Sequence, residues 1–289
     1  MTTKDEVDSR QTRRAMTDVF KNLGYEVLPF KGTADNVLAN VPKDIRLTVT
    51  ASPPKGIGAT IDLAVALAGH GYHVAPHLSA RMIRDERQLS EIVARLDAAG
   101  IDDVFVVGGD ATDPGDYPDA LSLLTALDKI GNSFTEVGIG GYPEGHASIS
   151  DANLESALKA KAPFATNIVT QICFDAQTTI GWANGLHRNG IDLPIRVGMP
   201  GAVSRQRLIR ISGCIGLGES AKFLKKQQSM FWRFFLPGGY SPDKLISGLR
   251  ASVGSADSNI AGFHIFTFNE LEKTEIWRRQ MVQRFSGNS

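Results

Sequence analysis

The sequence predicts an α/β protein, a single (β/α)8 (TIM) barrel with an N-terminal helix, that takes up the whole of residues 1–289. The main observation is a repeated alternation of short apolar runs with longer amphipathic runs, which is typical of parallel βαβ units. The length of 289 residues is close to the ~250 that such barrels need. Hydrophobic residues make up 42% and charged residues 21%, as in ordinary globular proteins. An open doubly wound sheet is the alternative that uses the same alternation.

Eight runs are predicted to form strands, after a helical stretch that ends near Leu23. The strand candidates are Glu26–Phe30, Leu47–Ala51, His73–Leu78, Val104–Gly108, Glu136–Gly140, Asn167–Phe174, Ile195–Met199 and Gly262–Phe268. Apolar residues at spacings of three and four predict helices between them, for example over Ile57–Ala68, Glu86–Ala98 and Tyr117–Lys129. The glycines expected to cap such helices are Gly71, Gly100, Gly131 and Gly190.

The charge balance points to a small-molecule partner. Lysine plus arginine and aspartate plus glutamate both number 31, so no net positive field attracts nucleic acid or an anionic membrane. The apolar runs are far shorter than the ~20 residues of a membrane span. Cys173 and Cys214 lack metal-ligand spacing, and the first ten residues contain no apolar signal core. We therefore expect a cytoplasmic protein that binds no metal; its oligomeric state stays open.

Polar residues follow seven of the eight predicted strands. Catalytic groups of such barrels lie at these C-terminal strand ends, although strands also stop wherever polar residues begin. Glu26 needs a stronger explanation, because a carboxylate inside the apolar run YEVLPF must be paired, protonated or functional. His77 and His146 fit either a structural or a functional role. Asp110 could equally be a helix cap, since ATDPGD follows it directly.

One less regular segment, Glu219–Pro242, contains a cluster of aromatic residues before a Pro-Gly-Gly turn. The cluster consists of Phe231, Trp232, Phe234 and Phe235. Core packing and a surface that stacks on substrate are both open explanations for it.

Five segments in order along the chain resemble methylenetetrahydrofolate reductase. They are APHL at 75–78, VVGGD at 106–110, YPEGH at 142–146, VTQICFD at 169–175 and FHIFTFN at 263–269. The run from Glu26 to Phe30 also partly matches the family's Glu-x-x-Pro-Pro segment. The resemblance implies a (β/α)8 barrel, in agreement with the strand count.

The resemblance also implies roles in one-carbon metabolism. Glu26 corresponds to the general acid that protonates N10 of the folate and opens its imidazolidine ring to a 5-iminium cation. Asp110 corresponds to the carboxylate that stabilises this cation, which is preorganised electrostatic catalysis. Substrate contacts are expected from Gln171, Phe174 and Thr50. The cofactor-binding residues are expected to be His77, Gly108, Gly109, Tyr142, His146 and Lys161.

Two departures from the family pattern concern its flavin. Gly108 stands where the family has an arginine, and Ala160 with Lys161 stands where it has an Arg-Lys pair, so two charge-assisted contacts are missing. Lys159 and Lys161 are the nearest replacement cations that the sequence offers. We therefore doubt that FAD binds and expect hydride to pass straight from NADH or NADPH to the folate.

Three alternatives stay open. One is a conventional FAD-dependent enzyme that has rebuilt its flavin site, and another is a degenerate barrel that binds folate without turnover. The third, an unrelated barrel aldolase or synthase, would need a lysine nucleophile or a metal cluster, and neither is evident. No Gly-x-Gly-x-x-Gly motif occurs, so the nucleotide is expected at the barrel mouth rather than in a Rossmann site.

Overall fold

The computed structural model describes residues 4–146, 148–201, 242–255 and 258–287, with side chains from residue 12 onward. Eight parallel strands form a closed barrel in sequence order. The barrel is closed, because the first strand pairs with both the second and the eighth strand. The predicted (β/α)8 barrel is thereby confirmed against the open doubly wound sheet. The aromatic cluster within Glu219–Pro242 lies outside the described residues.

The strands and helices alternate around the barrel. The strands are β1 Gly24–Val27, β2 Arg46–Val49, β3 Val74–Ser79, β4 Asp103–Val107, β5 Glu136–Gly141, β6 Asn167–Ile172, β7 Ile195–Pro200 and β8 Ile260–Phe266. The described helices are α1 Lys4–Lys21, α2 Thr33–Asn40, α3 Gly56–Gly69, α4 Glu86–Ala98, α5 Ala120–Ile130, α6 Asp151–Lys161, α7 Ala176–Arg188, α8 Asp243–Leu249 and α9 Leu271–Ser286. Among these described helices, none has the length and apolar character that crossing a bilayer requires.

The ends of β1 and β8 differ from the sequence prediction because of Asn269. Its side-chain amide accepts a hydrogen bond from the Leu28 N–H at 2.9 Å and donates to the Leu28 carbonyl at 3.1 Å. The backbone that follows β1 is therefore bound by a side chain rather than by a strand. Phe268 and Asn269 adopt φ of 50° and 60°, which ends β8 at Phe266. Asn269 thus joins the C-terminal ends of these neighbouring strands.

Two other boundaries also have a side-chain cause. β6 stops at Ile172, since the Glu144 carboxylate accepts the N–H groups of Phe174 and Asp175. Helix α5 begins at Ala120 rather than at Tyr117, because the Asp119 carboxylate caps it. By contrast, the predicted bounds of Glu86–Ala98 are confirmed. The four glycines expected to follow helices all have a positive φ angle, namely Gly71, Gly100, Gly131 and Gly190.

Strand alternation divides the side chains between a helix-facing layer and the barrel interior. The residues on the helix-facing side are mostly large, apolar and buried, such as Tyr25, Val27, Leu47, Val49, Val104, Val106, Phe263 and Ile265. The interior positions carry many polar or small side chains instead. They include Glu26, Arg46, His77, Asp103, Gly138, Asn167, Gly198 and His264. Barrels of this class usually fill this space with branched apolar residues, so the polar interior is a departure.

An ionic cluster occupies the N-terminal end of the barrel interior. We call Arg46, Asp103, Glu136 and Arg196 the barrel-floor cluster. Arg46 Nη2 lies 2.5 Å from Asp103 Oδ2 and 3.1 Å from Glu136 Oε2. The Asp103 side chain is completely buried, and this burial raises its pKa although Arg46 opposes the shift. Three of the four residues are the first of their strands and Arg196 is the second of β7, so the cluster lies at the end opposite the C-terminal mouth.

Replacement of Asp103 by alanine is expected to lower the free energy of unfolding by about 3–5 kcal/mol, because it leaves the buried Arg46 with only the more exposed Glu136 as a carboxylate partner. A matched control is Asp62→Ala, which removes an exposed partner of Arg95 at 2.7 Å. The control should cost less than about 1 kcal/mol. Urea unfolding of both variants measures the two losses. Equal losses would contradict a stabilising role of the barrel-floor cluster.

Candidate active site

Glu26 projects from β1 into the barrel interior between two imidazoles. Its Oε2 lies 3.7 Å from His77 Nε2 on β3 and 3.6 Å from His264 Nε2 on β8. The exposed fractions of the three side chains are only 14%, 10% and 3%. No group of three His, Cys, Asp or Glu side chains in the described ranges has a metal-binding arrangement. The three side chains therefore form a buried acid–base group.

Burial decides where the proton of this group resides. It raises the pKa of Glu26 from 4.5 to about 7, against the opposing effect of His77. Burial also lowers the pKa of His77 to about 4 and that of His264 to about 3. At neutral pH both imidazoles are therefore neutral and a large fraction of Glu26 is protonated. A carboxyl with these properties can donate a proton under physiological conditions.

His264 is a member of this group that the sequence reasoning missed. It lies inside the FHIFTFN segment at an interior position of β8, between the helix-facing Phe263 and Ile265. Like Glu26, this histidine is a polar side chain within an apolar strand. Strand alternation is the signal that could have found it.

Several polar atoms near this group have no hydrogen-bond partner within the protein. On β2 and just beyond it these are the buried hydroxyls of Thr48 and Thr50, and on β3 they are His77 Nε2 and the Ser79 hydroxyl. An unsatisfied buried polar group costs about 1–3 kcal/mol, so ligand or water is expected to satisfy these atoms. This gives physical support to the prediction that Thr50 contacts substrate.

A large cleft opens at the C-terminal ends of β4 to β6, with a volume of about 2040 Å³. It is lined by six of the predicted site residues, namely Gly108, Gly109, Asp110, Tyr142, His146 and Lys161. The structure therefore brings most of the predicted cofactor-binding residues together. His77 is the exception, because it lies beside Glu26 in the barrel interior.

Gly109 lines the cleft and packs against Ser79 on β3. Its φ is +83°, and a Cβ atom there would overlap the hydroxyl of Ser79. Ser79 lies two residues after His77 on β3, so it shares the interior face of that strand. Glycine is thus required where the cleft meets the interior.

Asp110 is exposed in the cleft and is not a helix cap. The cap of the following helix is Asp119, whose carboxylate accepts the Ser122 N–H at 2.8 Å. Asp110 faces Tyr142 instead, and burial together with this charge raises the pKa of the tyrosine. The Tyr142 ring packs edge-on against His146 at 5.2 Å between centroids. The helix-cap explanation of Asp110 is therefore wrong.

The three predicted substrate contacts lie outside the cleft lining. The Gln171 side-chain oxygen accepts the N–H of its neighbour Ile172 at 3.0 Å. The backbone of Phe174 is held by Glu144, while Thr50 lies at the end of β2. Their roles in substrate binding stay predictions.

The cleft is rich in carboxylates. Within the described ranges its lining contains two lysine or arginine residues, Arg81 and Lys161, and seven acidic residues: Asp110, Asp113, Asp119, Glu144, Asp151, Glu155 and Asp175. Arg81 was not anticipated, so the inference that Lys159 and Lys161 are the nearest replacement cations was incomplete.

Arg81 donates hydrogen bonds to the carbonyls of Ala111, Thr112 and Pro118, and it thereby holds the loop after β4. Burial lowers the pKa of Lys161.

A family model described as methylenetetrahydrofolate reductase matches residues 32–217, which is more than half of the chain. The chain belongs to this family. Its members are oxidoreductases that act on folate, so membership supports an activity of this kind. The match begins after Glu26 and ends before β8. The roles of Glu26 and His264 therefore depend on their motifs and geometry.

Two solved structures resemble this chain at low sequence identity. The C-terminal domain of a protein described as a chitinase from Desulfitobacterium hafniense is 12% identical, with a TM-score of 0.51 over 92% of this chain and 99% of that one. Dihydropteroate synthase from Thermus thermophilus is 13% identical, with a TM-score of 0.46 over 94% and 96% of the two chains. The first likeness shows the fold alone.

The raised pKa of Glu26 predicts a pH-dependent cost in stability. The folded state binds the Glu26 proton more tightly than the unfolded state does. Protonation of Glu26 therefore stabilises the fold fully below pH 4.5, and this stabilisation is lost as pH rises through about 7. Glu26→Gln cannot ionise, and its stability relative to wild type should improve by about 3 kcal/mol between pH ~4.5 and ~8. Chemical unfolding at both pH values checks this. A constant difference between the proteins would contradict a raised pKa.

Asp110 and Asp119 should differ in their effect on stability. Asp119→Ala removes a helix cap and is expected to cost about 0.5–2 kcal/mol. Asp110→Asn retains the size of an exposed side chain and should change the free energy of unfolding by less than about 0.5 kcal/mol. Thermal unfolding of both variants tests the assignment, which a larger loss in Asp110→Asn would overturn.

Proposed function

We propose that the protein reduces 5,10-methylenetetrahydrofolate to 5-methyltetrahydrofolate, with hydride that passes directly from NADH or NADPH to the folate. The observation that carries this proposal is the buried Glu26 carboxyl, whose pKa of about 7 suits proton donation at neutral pH. Family membership supplies the substrate class. We further propose that the protein acts on this small molecule in the cytoplasm.

Glu26 starts the reaction by giving its proton to N10 of the folate. The bond between N10 and the bridging carbon then breaks, and its electron pair stays on N10. The carbon remains attached to N5 as an iminium, which accepts hydride and becomes the methyl group. Each turnover leaves Glu26 as a carboxylate, which takes a proton back from solvent. The two neutral imidazoles favour this cycle, since neither forms a lasting ion pair with the carboxylate.

Asp110 is proposed to stabilise the cation that ring opening creates. Its carboxylate is exposed at the cleft, beside Tyr142. A preorganised negative charge lowers the energy of a developing cation more than mobile water does. Gln171, Phe174 and Thr50 are proposed to hold the pterin, and the unsatisfied Thr50 hydroxyl is a ready hydrogen-bond partner.

The residues that line the cleft do not fit a resident flavin. FAD carries a diphosphate, yet seven acidic residues and only two lysine or arginine residues line the described cleft. The guanidinium of Arg81 is already bound to loop carbonyls, and Gly108 has no side chain to offer. A resident flavin must stay bound through many turnovers, whereas a nicotinamide substrate leaves after each one. Weak complementarity to phosphate therefore suits a substrate better than a prosthetic group.

Loss of the acid is expected to slow folate reduction strongly. Glu26→Gln should reduce the rate by ~10²–10⁴-fold, because this is the usual contribution of general acid catalysis. Asp110→Asn should lower kcat as well, since it deletes the charge that faces the iminium. The assay follows oxidation of NADH in the presence of methylenetetrahydrofolate. Surface variant Asp62→Ala serves as the control. Near wild-type rates in Glu26→Gln would remove this residue from the mechanism.

The pure protein is expected to contain no flavin and still to oxidise a reduced nicotinamide when methylenetetrahydrofolate is present. Direct transfer requires both substrates at once, with the reacting carbons roughly 3–3.5 Å apart. Initial-rate plots should therefore intersect, while a flavin shuttle gives the parallel lines of ping-pong kinetics. Stoichiometric FAD, activity only after FAD is added, or parallel lines would instead favour the conventional FAD-dependent enzyme. Folate binding without any turnover would favour a non-catalytic barrel.

A further inference from the structure

His264 is the imidazole beside Glu26 to which the proposed reaction assigns no step. We propose that His264 is a positioning residue, which holds the Glu26 carboxyl in place for proton transfer. This inference rests on the proposed function, because it concerns the same proton transfer. It gives a role to the β8 member of the acid–base group, whose other members come from β1 and β3.

The surroundings of His264 hold its ring in one place. Register pairs His264 with Gly24 on β1, two residues before Glu26, and the imidazole fills the space that a side chain at Gly24 would take. A Cβ atom at Gly24 would lie 3.2 Å from His264 Nδ1. The Phe266 ring packs edge-on against the imidazole at 5.3 Å between centroids. Nε2 is thereby directed at the Glu26 carboxyl, 3.6 Å away.

The charges around His264 oppose its protonation. Arg46 on β2 and Arg196 on β7 are the cations of the barrel-floor cluster, and both act with burial to lower the pKa of His264. The carboxylates of that cluster, Asp103 and Glu136, are bound to Arg46. His77 on β3 lies on the opposite side of Glu26 and is also neutral at pH 7.

A neutral His264 has a chemical consequence for Glu26. An imidazolium at this distance would stabilise the carboxylate and leave a stable ion pair that no longer donates a proton. A neutral imidazole in close polar contact, 3.6 Å from the carboxyl, instead restrains the direction of the carboxyl without removing its proton. The barrel-floor arginines therefore help to keep His264 neutral.

Two substitutions of His264 distinguish a positioning role of this residue from an effect of its charge on Glu26. His264→Gln keeps a neutral hydrogen-bonding group, whereas His264→Leu removes it. The leucine variant should lose up to ~10²-fold in kcat, which is the cost of a misplacement of about 1 Å. We expect the glutamine variant to recover most of this rate and to keep the alkaline limb of the kcat profile at the wild-type pH. In the leucine variant the limb should move to higher pH, because the carboxylate loses a polar neighbour.

Other outcomes would overturn the proposal. If His264 were an imidazolium, both substitutions would remove a positive charge and shift the alkaline limb upward by similar amounts. If both variants kept the wild-type rate and profile, His264 would only fill space. The matched control is His70→Gln, an exposed histidine outside the barrel that should change neither readout. Thermal unfolding checks that the leucine variant is folded.

A readout without turnover separates this proposal from the proposed function. The ¹³C NMR signal of the Glu26 carboxyl, assigned by its loss in Glu26→Gln, gives its pKa directly. This pKa should be unchanged in His264→Gln and raised in His264→Leu. If these values are found but wild-type protein reduces no folate, the proposed function fails while His264 still controls the carboxyl. If folate is reduced but the carboxyl titrates identically in all three proteins, the His264 proposal fails.

Discussion

Desolvation of the Glu26 carboxyl is the constraint on which the rest of the site depends. A carboxylate loses most of its hydration in the barrel interior, so the protonated form is favoured up to about pH 7. The neighbouring imidazoles experience the same burial with the opposite result, because burial disfavours their charged forms. One environment therefore places the proton on the carboxyl and removes it from the histidines. A proton donor at neutral pH follows from this division.

The barrel geometry makes this arrangement possible. The described helices cover the outer faces of the strands with apolar contacts, while the interior holds polar groups. The barrel-floor cluster closes the N-terminal end with paired charges, while the acid–base group lies between it and the open end. The hydrogen bonds of Asn269 hold the chain after β1, and they help to keep Glu26 beside β8.

Much of this organisation could be predicted from the sequence. Hydrophobic alternation indicated all eight strands, and the apolar context of Glu26 marked it as unusual. The side-chain contacts of the loops escaped prediction. The capping role of Asp119 rather than Asp110, and the hold of Glu144 on β6, depend on loop geometry that periodicity does not carry. His264 was missed although its strand position was informative, and Arg81 was missed because its partners are backbone carbonyls in another loop.

The most direct test of the account is a single anaerobic turnover of protein stripped of any flavin. The nicotinamide carries deuterium at the transferred position, and mass spectrometry follows the methyl group of the product. Direct transfer predicts one deuterium in the methyl group of 5-methyltetrahydrofolate, with no exchange into solvent. A product without deuterium, or no product until FAD is added, would contradict the account.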